Sequence, residues 1–230
     1  MALNFDSFVL CASTAALDDE PRAREHAEAL EFRMDLADEP LAALEDYDGE
    51  LPILATNRAS WEGGNASGNE EERLETLESS TAIDAVEAID VELAALRSGD
   101  AAWLLDVAKE TETSVVVSAH DFETTPSRSH MRNTLRDATE YGDVGKLAVT
   151  ARTLEDTLDV LSVTLEASDA GVTVATMAMG EPGRHTRVVA PVYGSKIGYA
   201  PVDTEDATAP GQYDLETLSG LVSAVRGEAF

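Results

Sequence analysis

The 230 residues carry 45 acidic against 16 basic side chains, a formal charge of −29 that repels nucleic acid and anionic membrane and argues against both as partners. The single cysteine, Cys11, permits neither an intramolecular disulfide nor a cysteine-rich metal site, and no apolar run has membrane length. With 43% apolar but only 5% aromatic residues, a core must be built from Ala, Val, Leu and Ile, and the expected setting is cytoplasmic, with no leader pattern at the N-terminus.

Taken in order, the chain opens with a strand over 6–12 that runs into Cys11-Ala12-Ser13-Thr14. No Gly-rich phosphate loop follows it, which disfavours an open doubly wound sheet. A second strand, 29–34, places Glu31, Arg33 and Asp35 on one face and Phe32 and Met34 on the other. The third, 52–57, ends at Arg58, and a loose segment follows over 60–69 before a helix over 70–82. The fourth strand, 88–93, pairs Asp90 with Glu92 on one face, and a helix covers 94–110. The fifth, 114–119, brings Ser118 and His120 to its C-terminal end, ahead of a helix over 127–141. The sixth, 144–149, contains Lys146 and leads to a helix over 153–168 that stops at Asp169-Ala170-Gly171. Strands over 172–178 and 195–200, a loose segment over 201–212 and a helix over 215–226 complete the chain. Strict alternation predicts the α/β class, a single-domain (β/α)8 TIM barrel over 1–230.

Both faces of a barrel strand are buried, so charged residues inside strands need a reason. The chain has three lysines, Lys109, Lys146 and Lys196, beside thirteen arginines, so Lys146 is no member of a lysine-rich surface. It is either an edge-strand residue that snorkels to solvent or an amine kept for chemistry such as Schiff-base formation. Five strands placing charge or His on inward faces favour a site. Arg33, Arg58, Lys146 and Arg187 are expected to converge as a cationic cluster, which suits a small anionic substrate bearing carboxylate or phosphate.

The segments EFRMD (31–35), LATNRASWEGG (54–64), DVEL (90–93), SAHDF (118–122), GDVGKLAV (142–149), MAMGEPGRHTR (177–187) and TAPGQ (208–212) resemble type I 3-dehydroquinate dehydratase of the shikimate pathway. The seven blocks occur in that family's order and span nearly the whole chain. The resemblance implies a barrel, usually a homodimer, that needs no cofactor and no metal. It converts 3-dehydroquinate to 3-dehydroshikimate by syn elimination through a lysine Schiff base. By the same resemblance Lys146 forms the imine and His120 moves the protons, oriented by Glu62. Arg187 clamps the substrate carboxylate, and Glu31, Arg33 and Arg58 bind ring hydroxyls and shape the site. Thr208 and Gln212 belong to a closing loop, with Thr208 standing where the family commonly has Ser. Met177 and Met179 line the pocket. The acid-rich, lysine-poor composition also resembles proteins of a high-salt cytoplasm.

Two alternatives accompany this reading. A class I aldolase also places a lysine on a barrel strand, and product identity separates the two: an enone from dehydration against two carbonyl fragments. A non-catalytic ligand-binding homologue would have lost the lysine or the histidine, and both are present. His26, His130 and His185 read as surface or helix residues with no metal-ligand spacing, so activity should survive EDTA.

Overall fold

The structure, a computed structural model, describes residues 3–66, 68–203, 205 and 209–227. Eight strands form it: β1 (Val9–Thr14), β2 (Ala29–Arg33), β3 (Ile53–Thr56), β4 (Val86–Glu92), β5 (Ser114–Asp121), β6 (Val144–Thr150), β7 (Val174–Met179) and β8 (Ile197–Pro201). All paired strands run parallel in sequence order, and β8 lies beside β1. Between β7 and β8 the ring is nearly closed: the Lys196 N–H donates to the Val174 carbonyl at 2.7 Å, and the Thr176 N–H donates to the Ser195 hydroxyl at 3.0 Å. The expected (β/α)8 barrel is therefore the fold.

Local chemistry sets the helices. Asn69 caps α3 (Glu70–Ser80) in a capping box with Glu72, and Thr153 does the same for α7 (Leu154–Asp169) with Asp156. Ser127 caps α6 (Arg128–Thr139), and Asp214 caps the last helix, Leu215–Arg226. The helix expected over 94–110 is two, Leu93–Ser98 and Trp103–Glu110, because Gly99 takes φ 91° and ends the first. The first strand starts later than expected. The Asp6 N–H donates to Asn4 Oδ1, a turn that removes this segment from the strand, and pairing with β8 begins at Val9–Ile197.

Outward-facing Leu30, Phe32, Ile53, Ile89, Val91, Val115 and Val117 pack under the surrounding helices, as do Leu147 and Val149 under Met131, Leu135 and Val160. The interior is stacked in layers. Ala29, Ala88, Val144 and Ile197 stand on β2, β4, β6 and β8 and help fill its lower part. Two residues further along the same four strands stand Glu31, Asp90, Lys146 and Tyr199. In such barrels alternate strands supply each interior layer, usually with branched aliphatics. Here that layer holds two carboxylates, an amine and a phenol.

Candidate active site

Lys146 is 4% exposed, so it does not snorkel to solvent. Its Nζ lies 2.9 Å from Asp90 Oδ2, 3.6 Å from Glu31 Oε1 and 4.1 Å from the centroid of the Tyr199 ring. Asp90 also takes Arg58 at 2.8 Å and a hydrogen bond from the Ser118 hydroxyl at 2.6 Å. Burial alone would lift the Asp90 carboxyl, but Arg58 and then Lys146 outweigh it and hold it well below the usual range. Glu31 is fixed in turn by the hydroxyls of Ser13 and Thr56.

Arg58 extends this network outward. It meets Glu92 at 3.0 Å and donates to Ser118, while Arg73 lies 3.0 Å from the second Glu92 oxygen. Burial works against the Arg58 guanidinium, yet Asp90 and Glu92 more than restore its charge. Arg33 is clamped by Asp35, with Nε and one terminal nitrogen at 2.8 and 2.7 Å. The expected cationic cluster is thus largely neutralised. Buried charge is tolerated when each ion has a partner, and the acidic strand residues supply those partners.

Arg187 is the exception. It is 6% exposed, its Nε has no hydrogen-bond partner among the described residues, and one terminal nitrogen lies 3.8 Å from the Met177 sulfur. Burial pushes the guanidinium down to about 10, with no carboxylate among the described residues to offset it. A buried guanidinium on a cavity wall, without an anionic partner among the described residues, is suited to an anion from a ligand.

His120 stands on β5 two residues beyond Ser118, which pairs in register with Lys146. Its Nδ1 is 2.7 Å from Glu62 Oε1, and the Phe122 ring stacks on it at 5.8 Å with a 10° tilt. Glu62 reaches this point from the 3-10 turn Ser60–Glu62. Gly63 follows with φ 80°, and a side chain at Gly64 would strike the Arg58 carbonyl at 2.0 Å, so the WEGG turn requires both glycines. Burial drives the His120 ring well below its ordinary value, helped by Arg58 and Lys146. Burial also pushes Glu62 up to about 8, against the pull of Arg58. Both shifts disfavour charge on the pair.

One cavity is lined by Glu31, Arg33, Arg58, Glu62, His120, Lys146, Met177, Met179, Arg187 and Gln212, ten of the eleven residues singled out in the sequence. The eleventh, Thr208, lies outside the described residues. Gln212 and Ala209 reach the cavity from the segment after β8. That segment is pinned to the end of β7 where the Gly180 N–H donates to the Pro210 carbonyl at 3.1 Å. Sequence reasoning left Asp90, Ser118 and Tyr199 out of the site. The period-two pattern placed Asp90 and Ser118 on inward faces, but nothing local marked Tyr199. No group of three or more potential metal ligands occurs among the described residues, and no helix there is long and apolar enough to cross a membrane.

Comparison with known proteins agrees with this geometry. The family model described as type I 3-dehydroquinase matches residues 8–228. The 3-dehydroquinate dehydratase of Haloarcula marismortui is 54% identical over 99% of this chain and 100% of its own. That of Halobacterium salinarum is 53% identical over 96% and 99%. Among solved structures, the 3-dehydroquinate dehydratase of Geobacillus kaustophilus superposes with a TM-score of 0.87 at 28% identity, covering 98% of this chain and 93% of that one. With a family match along nearly its whole length and relatives more than half identical, this chain belongs to the type I 3-dehydroquinase family.

Proposed function

We propose that this enzyme dehydrates 3-dehydroquinate to 3-dehydroshikimate in aromatic amino-acid biosynthesis, through a Schiff base on Lys146. The observation that carries the reading is one cavity that combines a buried lysine, a Glu62-held histidine and a buried arginine without a carboxylate partner among the described residues.

The chemistry follows from those groups. The substrate carboxylate pairs with Arg187, which aims the ring ketone at Lys146. Lys146 passes one proton to His120, the neutral amine attacks the carbonyl, and His120 returns the proton to the carbinolamine hydroxyl, which leaves as water; the iminium that remains withdraws electrons from the adjacent C–H. His120 takes that proton through Nε2 while Nδ1 is held by Glu62. The resulting enamine expels the β-hydroxyl, which accepts the same proton from His120 and departs as water from the same face. Hydrolysis of the conjugated iminium takes up the equivalent of the water released when it formed, restores the Lys146 amine and frees the product, so the net change is loss of one water. Glu31, Arg33 and Arg58 hold ring hydroxyls, Met177 and Met179 bound the apolar face, and Thr208 and Gln212 close over the ligand. No metal or cofactor is required by these steps.

We also place the enzyme in the cytoplasm as a homodimer. Leu154, Leu158 and Leu165 on α7 are exposed, and so are Val192 and Tyr193 in the turn packed beside it. Arg128 and Arg132 on α6 pair with Asp159 and Glu166 of α7, which offsets two of that helix's acidic charges. Leu158→Glu should shift sedimentation toward the monomer, and an unchanged sedimentation coefficient counts against this interface.

Borohydride reduction with 3-dehydroquinate, followed by peptide mass mapping, tests the central claim. A substrate adduct on the Lys146 peptide and a new ultraviolet enone band are the expected results. An adduct elsewhere, or cleavage into two carbonyl fragments as in an aldolase, overturns it.

A further inference from the structure

The interior layer that holds Lys146 has four members, one from each even-numbered strand: Glu31, Asp90, Lys146 and Tyr199. The two carboxylates touch the amine as ion-pair partners at 3.6 and 2.9 Å. The fourth member touches it differently. Tyr199 presents the face of its ring, with Nζ 4.1 Å from the centroid, inside the distance at which an aromatic quadrupole attracts a cation. The phenol is 4% exposed, its register partner across to β1 is the buried Cys11, and its hydroxyl has no hydrogen-bond partner among the described residues. Burial and the nearby Glu31 keep that hydroxyl protonated far above its ordinary range. Neither the hydroxyl's surroundings nor its protonation gives it a task in the chemistry, whereas the ring face is in direct contact with the reacting nitrogen.

We infer that Tyr199 is a positioning residue for the cationic forms of Lys146, and that its ring face, not its hydroxyl, performs this role. The inference rests on the reading of Lys146 as the imine-forming lysine. Both the resting ammonium and the iminium carry positive charge at the same nitrogen, so one ring can hold both. An aromatic face also does what a third carboxylate would not: it stabilises a cation without offering a proton acceptor that could compete with His120. The attraction is strengthened here because the contact is shielded from water.

A shape-preserving series provides the test. Phenylalanine and its mono-, di- and trifluoro analogues at position 199 keep the ring and progressively weaken its negative face. The first readout is carbamoylation of the free enzyme by cyanate, which reacts with unprotonated amines. With three lysines in the chain, the Lys146 peptide is mapped cleanly against Lys109 and Lys196 as internal controls. The amine also faces Asp90 from β4, Glu31 from β2, Arg58 beyond β3, His120 on β5 and Cys11 on β1, all of which stay constant through the series.

The pH midpoint of Lys146 labelling should fall stepwise with each fluorine while the controls stay fixed. Above that midpoint, kcat/KM should decline in the same order, by about tenfold across the series. Tyr199→Phe should retain the parent behaviour on both readouts. A midpoint indifferent to fluorination overturns the inference, as does a Tyr199→Phe variant as impaired as Tyr199→Leu, which would assign the role to the hydroxyl. Borohydride trapping separates the two claims. A moving midpoint with no substrate adduct at Lys146 leaves the Tyr199 contact standing and removes the Schiff base. An adduct with a fixed midpoint does the reverse.

Discussion

Lys146 and Asp90 meet as a buried ion pair at 2.9 Å although their strands are not neighbours; β5 lies between β4 and β6. The same carboxylate also holds Arg58 at 2.8 Å. Removing it leaves two buried cations short of a partner. Asp90→Ala should destabilise the fold by about 3–5 kcal/mol, the usual loss when one member of a buried pair is deleted. Chemical unfolding in multimolar KCl measures it, and a loss under about 1 kcal/mol would show that Glu31, Glu92 and Ser118 suffice to hold Lys146 and Arg58.

In the proposed mechanism the Glu62–His120 pair sets the pH dependence. Burial holds Glu62 at about 8 and lowers His120. Below about 8 the Glu62 carboxyl is protonated and donates to Nδ1, so the ring proton sits on Nε2 and no basic lone pair faces the cavity. Above about 8 the carboxylate accepts from Nδ1–H and frees Nε2 as a base. The kcat/KM profile should therefore rise with pH through a limb within about one unit of 8, because it reports free-enzyme ionisations. Glu62→Gln should abolish that limb. The stability sign follows from the same shift. A carboxyl raised above its unfolded value of about 4.3 contributes fully below that value and loses its contribution as pH climbs through about 8. Glu62→Gln should accordingly lose less stability than the parent between pH 5 and 9. His120→Ala should slow turnover by roughly 10²–10⁴-fold or more, since the proposed mechanism gives it several proton transfers.

Arg187 separates stability from activity. Its guanidinium is buried with no carboxylate beside it among the described residues, so its replacement relieves desolvation while deleting the proposed anion clamp. Arg187→Ala should leave the melting temperature unchanged or higher. It should lower kcat/KM by roughly 10²–10³-fold, in line with the ~2–5 kcal/mol lost when a buried charged partner is removed. A substrate analogue without the carboxylate should be turned over equally by parent and variant. A marked preference of the parent for that analogue would detach Arg187 from the carboxylate.

The barrel was legible in the sequence because its strands are short apolar runs at regular spacing, each followed by a helical pattern. Inward-facing charges such as Glu31, Asp90 and Lys146 stood out because period-two alternation puts them opposite Phe32, Val91 and Leu147. Pairing was not legible. Arg33, Arg58, Asp35 and Asp90 were visible as charges, but which carboxylate neutralises which cation depends on strand tilt and register across the barrel, and local sequence encodes neither. Tyr199 was missed for the same reason: a tyrosine in a strand is ordinary, and only closure of the ring brings β8 to Lys146. The break at Gly99 was missed because the helical pattern resumes in phase with what precedes it.

The remaining prediction concerns salt. The net charge of −29 means that repulsive acid–acid pairs outnumber attractive ones over the surface. The exposed ion pairs, Arg22–Asp203, Arg97–Asp137, Arg128–Asp159 and Arg132–Glu166, contribute only about 0.2–1 kcal/mol each and weaken as salt rises. Raising ionic strength from 0.1 M to 1 M shortens the screening length from about 10 Å to about 3 Å, which suppresses the long-range repulsion more than these contacts. Repulsion therefore dominates the balance, and salt should stabilise the fold. Each kcal/mol relieved should raise Tm by about 2–4 °C for a chain of this size. Thermal melts followed by circular dichroism from 0.1 to 3 M KCl should show a steep early rise that flattens once the screening length falls below the spacing of surface carboxylates. An uncharged osmolyte at matched osmolality should not reproduce that shape. A Tm that is flat or falling with KCl would mean that the acidic surface is not what limits stability.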